Sequence, residues 1–410
     1  MNQSVVFATP TFPSFRGNGL AMRAAATLSL LSAWGAEVDL LVIPIYNAET
    51  TEPEPEIAKM CRSWQMVNNP EPSCRTGMLS EWVDTPPGLN ALPREWRSYN
   101  PAWQHEITAA IQQRHPALIV AFRFYLAPFI LTNADPGIPV WLDMDEIEST
   151  SRARLSHLYT MAGKKHEAFD LRMEAMAYEK LEECYLSFFE HVFAASQIEC
   201  ERILARRPDA NVHLLPNIYP AVRPQRRRES DGKARFLYVG TLGYYPNLDA
   251  VMYFCTDVLP CIRARSLVPV ELYVIGSGLS DVGDQLSIPG VHLVGPVPET
   301  TPYYADCDAA IVPLRAAGGT RIKILEAFSH QRAVVSTRIG AEGLGAVAGV
   351  HLCVADDARD FASQCLHLIN DANERETLAE RGHAFFREHH TLGRLEEKLP
   401  EMFGDWSLVN

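Results

Sequence analysis

The chain has 410 residues, of which 47% are hydrophobic, and this length allows two domains with separate cores. Its formal net charge of −13 argues against nucleic acid as the main partner. The nine cysteines are odd in number and include no Cys-x-x-Cys pair, so we expect unpaired thiols in a reducing compartment and no zinc site.

The N-terminus and the apolar stretches say where the chain is expected to work. Residues 1–9 lack a basic n-region and are predicted to form a first strand, not a signal peptide. The best apolar stretch, residues 117–131, contains Arg123 and is too short for a membrane span. We therefore expect a cytoplasmic protein with at most a peripheral membrane contact. The oligomeric state is not indicated.

The first half alternates short apolar runs with helical patterns. Strands are predicted at residues 5–8, 38–43, 117–121, 140–142, 192–195 and 212–215. Helices are predicted at residues 20–34, around 103–111, at 165–186 and at 197–204. Residues 45–98 give no clear pattern. This alternation predicts a parallel sheet covered on both faces, in a domain spanning residues 1–220.

A polar segment then separates two alternating halves. Residues 221–233 include Arg226-Arg227-Arg228 and are predicted to be a solvated linker, although a contact with an acidic surface or an acceptor phosphate is the alternative. Further strands are predicted at residues 236–239, 270–275, 291–294, 309–314 and 333–335. Helices are predicted at 248–263, 302–305, 360–369 and 374–389. This second domain is placed at residues 234–390, followed by a terminal helix within 391–410.

One stretch, residues 318–326, combines a glycine turn with the start of a helix. Gly318 and Gly319 follow an apolar strand, and glycines allow the backbone to approach a ligand closely. Arg321 and Lys323 add positive charge at a helix N-terminus, which itself attracts anions. Glu326, one turn further, can accept hydrogen bonds from sugar hydroxyls. The stretch therefore favours a nucleotide sugar site over a helix with merely solvated charges.

The ordered series of motifs in the second half resembles a known family. The matching segments are Val239-Gly240-Thr241, Val274-Ile275-Gly276-Ser277-Gly278, residues 291–297, residues 309–314, residues 319–327, Val334-Val335-Ser336-Thr337 and residues 340–344. Together they resemble the nucleotide-sugar-binding domain of retaining GT-B glycosyltransferases of the GT4 type. The resemblance implies an α/β GT-B fold, with two Rossmann-like parallel-sheet domains facing a central cleft. It also implies that the terminal helix, residues 392–403, crosses back to pack on the first domain. It also implies transfer of a sugar from a nucleotide diphosphate sugar, with retention of configuration, to a carbohydrate, lipid-linked or other hydroxyl acceptor.

The resemblance implies roles for individual residues of the donor site. Arg321 and Lys323 would bind the diphosphate, and Glu326 would hold the ribose. Further donor contacts are implied for Gly17, Asn18, Gly19, Gly240, Thr241, Pro296, Val297, Gly318, Gly319 and Thr320. The first Glu of the family's Glu-x7-Glu pattern falls on Gly318, so its contact with the donor sugar is missing.

The family often has a His after the strand that ends here at Leu142, and this chain has Asp143-Met144-Asp145 instead. A catalytic role for Asp143 or Asp145 is therefore open. The pair also spells the Asp-x-Asp metal signature of another glycosyltransferase fold, but a helix N-terminal charge on Asp145 or Glu146 is favoured. Arg123 is predicted either to bind a polar or anionic acceptor or to form a structural ion pair.

The chemistry implied needs neither a metal nor another cofactor. The transition state resembles an oxocarbenium ion while negative charge builds on the departing diphosphate. Arg321, Lys323 and the helix N-terminus would stabilise that charge. The alternatives are a GT-B relative that epimerises or only binds nucleotide sugars, and an NAD(P)-dependent oxidoreductase. The oxidoreductase fingerprint is incomplete because Asp281 stands where Gly276-Ser277-Gly278 would need a third Gly or Ala.

Overall fold

The computed structural model describes residues 4–45, 50–70, 92–132, 137–228, 231–278, 286–319 and 321–398. The chain divides into two compact units. Unit 1 comprises Met1–Asn217 with Gly318–Thr320 and Leu395–Asn410, and unit 2 comprises Ile218–Ala317 with Arg321–Arg394. Each unit has its own buried apolar core on a parallel sheet.

Unit 1 is built on a sheet whose order is β3-β2-β1-β4-β5-β6-β7, with every pairing parallel. Its strands are β1 (Ser4–Thr9), β2 (Glu37–Val42), β3 (Ser63–Met66), β4 (Leu118–Phe122), β5 (Val140–Asp145), β6 (His191–Ala194) and β7 (Val212–Leu214). The central strands β4 and β5 are buried along their whole length, as parallel strands covered on both faces must be.

Seven α-helices of unit 1 lie within the described residues. They are α1 (Gly19–Ala33), α2 (Pro55–Met60), α3 (Pro101–Gln112), α4 (Ala127–Leu131), α5 (Glu148–Met161), α6 (Lys165–Tyr185) and α7 (Gln197–Arg206). The predictions did not include β3, α2, α4 or α5. The reason for α5 is composition, because its polar and small residues give no apolar stripe that marks a helix.

Unit 2 has a second parallel sheet in the order β10-β9-β8-β11-β12-β13. Its strands are β8 (Ala234–Val239), β9 (Val270–Ile275), β10 (Val291–Gly295), β11 (Ala309–Val312), β12 (Ala333–Ser336) and β13 (Cys353–Val354). The helices are α8 (Tyr245–Tyr253), α9 (Leu259–Arg263), α10 (Thr301–Asp306), α11 (Ile322–Ser329), α12 (Arg338–Ala341), α13 (Ala358–Asn370) and α14 (Ala372–His389).

The helix predicted over residues 248–263 is not a uniform α-helix. A π-helical segment, Phe254–Val258, joins α8 to α9. Pro260 lies at the start of α9 and has no N–H to continue an α-helical hydrogen-bond ladder from the preceding turn. The widened turn therefore coincides with the proline that the sequence places there.

Most of the predicted linker is exposed where the structure describes it, and part of it is also anchored on unit 2. The backbone N–H of Arg228 donates to the carbonyl of Ala305 at 3.0 Å. Arg332 donates to the carbonyl of Gln225 at 2.8 Å, and Arg227 pairs with Asp308 at 2.6 Å. Residues 225–228 are therefore held on unit 2 by hydrogen bonds and an ion pair, a contact that the sequence did not indicate.

The C-terminal prediction is covered only in part. A short helix, α15 (Leu392–Glu397), begins where the terminal helix was expected. Residues from 399 onward lie outside the described residues, and packing of this helix on the first domain stays a prediction. None of the helices described is both long enough and apolar enough to cross a membrane.

Candidate functional site

In unit 2, Lys323 and Gly240 come together at the carboxyl ends of two neighbouring strands. Gly240 follows β8, and Lys323 lies in the first turn of α11, after β11. A Cβ added at Gly240 would lie 2.6 Å from Lys323 Nζ, so the amine occupies the space that a side chain would need. The same nitrogen lies 5.6 Å from the centroid of the Tyr238 ring. Two residues predicted for one site are therefore neighbours.

The turn after β8 is held firmly by its surroundings. The Gly240 N–H donates to the carbonyl of Ile275 at 2.8 Å. Asn247 donates to the carbonyl of Thr241 at 2.8 Å and accepts from the Tyr238 hydroxyl at 2.9 Å. Gly276, with φ of +144°, packs so closely that an added Cβ would lie 2.1 Å from the Gly240 carbonyl oxygen. Only glycine fits there, so the turn has a fixed backbone surface.

Lys323 has an unusually low pKa for a lysine. Burial lowers the pKa of its amine to about 8, and the nearby Glu326 carboxylate only partly opposes this. The amine is therefore protonated at neutral pH but is poorly compensated. A bound anion would supply the missing countercharge, which is the property expected of a phosphate-binding lysine.

Glu326 lies within unit 2 with its carboxylate already oriented by two hydroxyls. The Thr300 hydroxyl donates to Glu326 Oε1 at 2.7 Å, and the Tyr219 hydroxyl also hydrogen-bonds to this carboxylate. Burial raises the pKa of Glu326, while both hydroxyls and the Lys323 charge lower it. The side chain is only 7% exposed. The carboxylate is therefore fixed in one orientation beside Lys323.

The remaining unit 2 residues of the prediction lie at loop or helix starts. Arg321 immediately precedes α11 and is buried. Pro296 and Val297 follow β10, whose last residue, Gly295, accepts from the Gly276 N–H at 3.0 Å. These positions lie near the carboxyl ends of parallel strands, where ligands of such sheets bind. Thr320 lies outside the described residues.

In unit 1, Asp143 lies in the C-terminal half of β5 and is fully buried. Arg23 Nη2 donates to its Oδ1 at 2.7 Å, and the Thr27 hydroxyl donates to its Oδ2 at 2.6 Å. Arg23 also donates to the carbonyl of Leu215 at 2.6 Å and to the Asn217 side chain at 2.9 Å. Both carboxylate oxygens thus have partners. The geometry favours a structural anchor, and catalysis by Asp143 stays a prediction.

Arg123 is surrounded by carboxylates. Its guanidinium pairs with Asp145 at 3.0 Å and also with Glu146 and Glu148. Arg123 and Asp145 both have positive φ, at 79° and 58°, a conformation that non-glycine residues seldom adopt. The ion-pair alternative therefore fits the structure, and nothing in this geometry supports the predicted acceptor contact.

The expectation for Asp145 and Glu146 as helix N-terminal charges is corrected. Helix α5 begins at Glu148, which is the acidic residue of its first turn. Asp145 and Glu146 lie before the helix and pair with Arg123 instead. Burial raises the pKa of Asp145, although Arg123 and Arg23 oppose the shift. Within the described residues, no group of three or more His, Cys, Asp or Glu side chains is arranged to hold a metal ion.

The other two glycine segments assigned to donor binding, residues 17–19 and 318–319, belong to unit 1. Asn18 caps α1, because its side chain accepts from the Ala21 N–H at 2.9 Å, and Gly17 precedes it with φ of +91°. At Gly318, which packs with unit 1, an added Cβ would collide with the carboxylate of Glu146. The carboxylate that the family pattern places at position 318 therefore does not fit unless Glu146 moves. Gly319 follows with φ of +57°.

Four side chains that position the predicted residues were missed from the sequence. Arg23 and Thr27 hold Asp143, and Tyr219 and Thr300 hold Glu326. One signal was present, since Arg23 is a charge within an otherwise apolar helical run. No pattern in the sequence marks Tyr219 or Thr300, because their partner is distant along the chain.

Solved structures of known proteins share this fold over nearly the whole chain. Sucrose-phosphate synthase from Thermosynechococcus elongatus superposes with a TM-score of 0.69, at 14% identity, covering 98% of each chain. HepE from Anabaena, solved with UDP and glucose, has a TM-score of 0.61 at 12% identity, covering 98% of this chain and 100% of its own. The protein thus has the GT-B fold, with two Rossmann-like parallel-sheet units.

The sequence comparisons add a family match in the second half and one relative. Residues 233–371 match the family model described as glycosyl transferases group 1. A curated relative, an uncharacterized 44.6 kDa protein in the cps region of Klebsiella pneumoniae, is 22% identical over 227 residues. That match covers 53% of this chain and 57% of the relative. The chain thus spans just over half the length of this relative.

Proposed function

We propose that the protein is a glycosyltransferase that moves a sugar from a nucleotide diphosphate sugar to an acceptor hydroxyl. The observation that carries the proposal is the arrangement of Lys323 against Gly240, with the fixed Glu326 carboxylate beside it. A partly compensated cation beside a glycine turn suits a diphosphate, and a fixed carboxylate suits the hydroxyls of a ribose.

The match to glycosyl transferases group 1 and the GT-B fold support this proposal. HepE was solved with UDP and glucose, and we extend that ligand class to this chain as part of the proposal. The curated relative is named for its cps region, and we place the reaction in glycoconjugate or polysaccharide synthesis. Retention of configuration remains part of the proposal through the GT4-type resemblance.

The proposed transfer reaction depends on stabilising the charge that develops when the donor is cleaved. Breaking the bond between the anomeric carbon and the diphosphate leaves positive charge on the sugar ring and negative charge on the leaving group. Lys323, Arg321 and the N–H groups at the start of α11 stabilise the departing diphosphate without moving. The proton of the acceptor hydroxyl passes to the leaving phosphate. No metal is required in this scheme.

The experiment measures turnover of a panel of UDP-, GDP- and ADP-sugars through the rate at which nucleoside diphosphate is released. The wild type should release nucleoside diphosphate from the sugars of one nucleoside only. Replacing both Lys323 and Arg321 by Ala should lower kcat/KM by about 100-fold or more, as loss of oxyanion donors does. Arg338→Ala, at an 84% exposed side chain, is the control. Normal turnover by the double variant would contradict the proposal.

A further inference from the structure

Helices α5 and α6 form a hairpin that carries an exposed stripe of cationic and apolar side chains. Lys165, Phe169, Arg172 and Met176 follow one another at spacings of four, three and four residues on α6. At 3.6 residues per turn these positions lie within about 60° of one another around the helix. All four side chains are exposed, with Phe169 at 62% and Met176 at 50%.

The tip of the hairpin also carries exposed cationic and apolar side chains. Met161 ends α5 with 56% exposure, and Lys164 is exposed in the turn that leads to Lys165. The turn is ordered by its own backbone, since the Lys164 N–H donates to the carbonyl of Tyr159 at 2.9 Å. Lys164 Nζ also lies 5.3 Å from the centre of the Tyr159 ring. We call these six residues, Met161, Lys164, Lys165, Phe169, Arg172 and Met176, the hairpin stripe.

Charge is separated around this hairpin. No acidic residue occurs between Glu148 and Glu167, although the whole chain has a net charge of −13. On α6, Glu167 and Asp170 point more than about 100° away from the stripe, and Asp170 pairs with His166 at 3.2 Å. The exposed acidic residues Glu179 and Glu183 lie beyond Met176, further along the helix. The stripe is therefore a local cationic surface on an acidic protein.

We propose that the hairpin stripe docks the protein on an anionic lipid bilayer. Phenylalanine and methionine side chains insert at the boundary between headgroups and acyl chains, while Lys and Arg reach anionic headgroups from the same face. The alternation of cations with large apolar groups suits this boundary. Lys164 and Lys165 distinguish this occupant from a protein partner, because Lys is depleted at protein interfaces whereas Phe, Met and Arg are enriched there. The overall charge repels anionic membranes, so attachment depends on this stripe and fixes the orientation of unit 1.

The test is co-sedimentation of the full chain with vesicles of phosphatidylcholine alone or with an equal amount of phosphatidylglycerol. The protein should bind only the anionic vesicles, and less at about 0.5 M salt. Lys165→Gln with Arg172→Gln should weaken binding by about tenfold or more. Phe169→Ser with Met176→Ser should do the same without loss of thermal stability, because both side chains are exposed.

Matched variants on unit 2 serve as controls. Arg265→Gln with Arg338→Gln changes the net charge equally, and Leu267→Ser with Val347→Ser removes apolar groups that are at least as exposed. Both pairs should bind vesicles like the wild type. Failure of the wild type to bind either vesicle, or unchanged binding by the stripe variants, would overturn the proposal. Self-association that the Phe169 and Met176 changes abolish, without vesicle binding, would assign the stripe to a second copy instead. None of these readouts depends on the proposed transfer reaction.

Discussion

Lys323 gives the candidate site a dependence on pH that ordinary lysines do not have. Its pKa of about 8 means that the amine loses its charge as pH rises through that value. An anionic ligand binds the protonated form, so its presence raises this pKa, and affinity is full below pH 8 and falls above it. The affinity for a nucleoside diphosphate should fall by up to about tenfold per pH unit above 8.

The check is a titration of the nucleoside diphosphate dissociation constant from pH 7 to 10, in the wild type and in Lys323→Arg. The arginine variant keeps its charge over this range, so its profile should be flat. If the two proteins gave the same profile, Lys323 would not be the group that contacts the diphosphate.

Tyr219 and Thr300 are predicted to act through Glu326. Thr300→Val and Tyr219→Phe each remove one hydroxyl that orients the carboxylate. Each change should raise KM for the nucleotide sugar several-fold, with a smaller effect on kcat, because the ribose contact is a binding contact. Thr300→Ser keeps the hydroxyl and should restore the wild-type KM.

A second comparison separates positioning from general loss of structure. In a Glu326→Ala background, Thr300→Val should add little, since the group it positions is gone. Additive effects in the double variant would show that Thr300 acts independently of Glu326.

At the scale of elements, the Arg23–Asp143 pair joins three parts of unit 1. Arg23 belongs to α1, Asp143 to the C-terminal half of β5, and Leu215 to the segment after β7. Arg23→Met leaves a buried carboxylate without its countercharge and should lower the free energy of unfolding by about 3–5 kcal/mol. Adding Asp143→Asn should recover part of the loss.

Chemical denaturation measures the free energy of unfolding of these variants, with Arg338→Met as the control. Arg338 pairs with Asp356 at an exposed site, where the expected change is below about 1 kcal/mol. A wild-type stability for Arg23→Met would mean that the pair does not hold these elements together. Activity lost in Asp143→Asn without loss of stability would favour the catalytic role over the anchor.

The elements also show what the sequence could predict. Strands such as Val270–Ile275 and helices such as Lys165–Tyr185 follow from apolar runs and periodicity, which are local signals. The family resemblance had implied that Lys323 and Gly240 both belong to the donor site, and the carboxyl ends of neighbouring parallel strands bring them together. The anchoring of Asp143 by Arg23 was not predicted, because the 120 residues that separate them leave no local signal. The anchored linker at residues 225–228 was missed for the same reason.

For the whole molecule, the proposed chemistry needs no metal ion. Removal of divalent cations with EDTA should leave sugar transfer within about twofold, since Lys323 and Arg321 supply the charge on the leaving diphosphate. Turnover is followed with EDTA and after addition of Mg²⁺ in excess. Activity that disappears with EDTA and returns with Mg²⁺ would contradict the metal-independent scheme while leaving the transfer reaction intact.

The central claim is that unit 2 binds the diphosphate of a nucleotide sugar through Lys323 and Arg321. Thermal unfolding of the full chain with UDP, GDP, ADP, NAD and NADP, without metal, tests it most directly, because a ligand that binds the folded state raises the midpoint. We predict a higher midpoint with one nucleoside diphosphate only, and no shift when both Lys323 and Arg321 are replaced by Ala. A shift with NAD or NADP, or a nucleoside diphosphate shift that survives in the double variant, would contradict it.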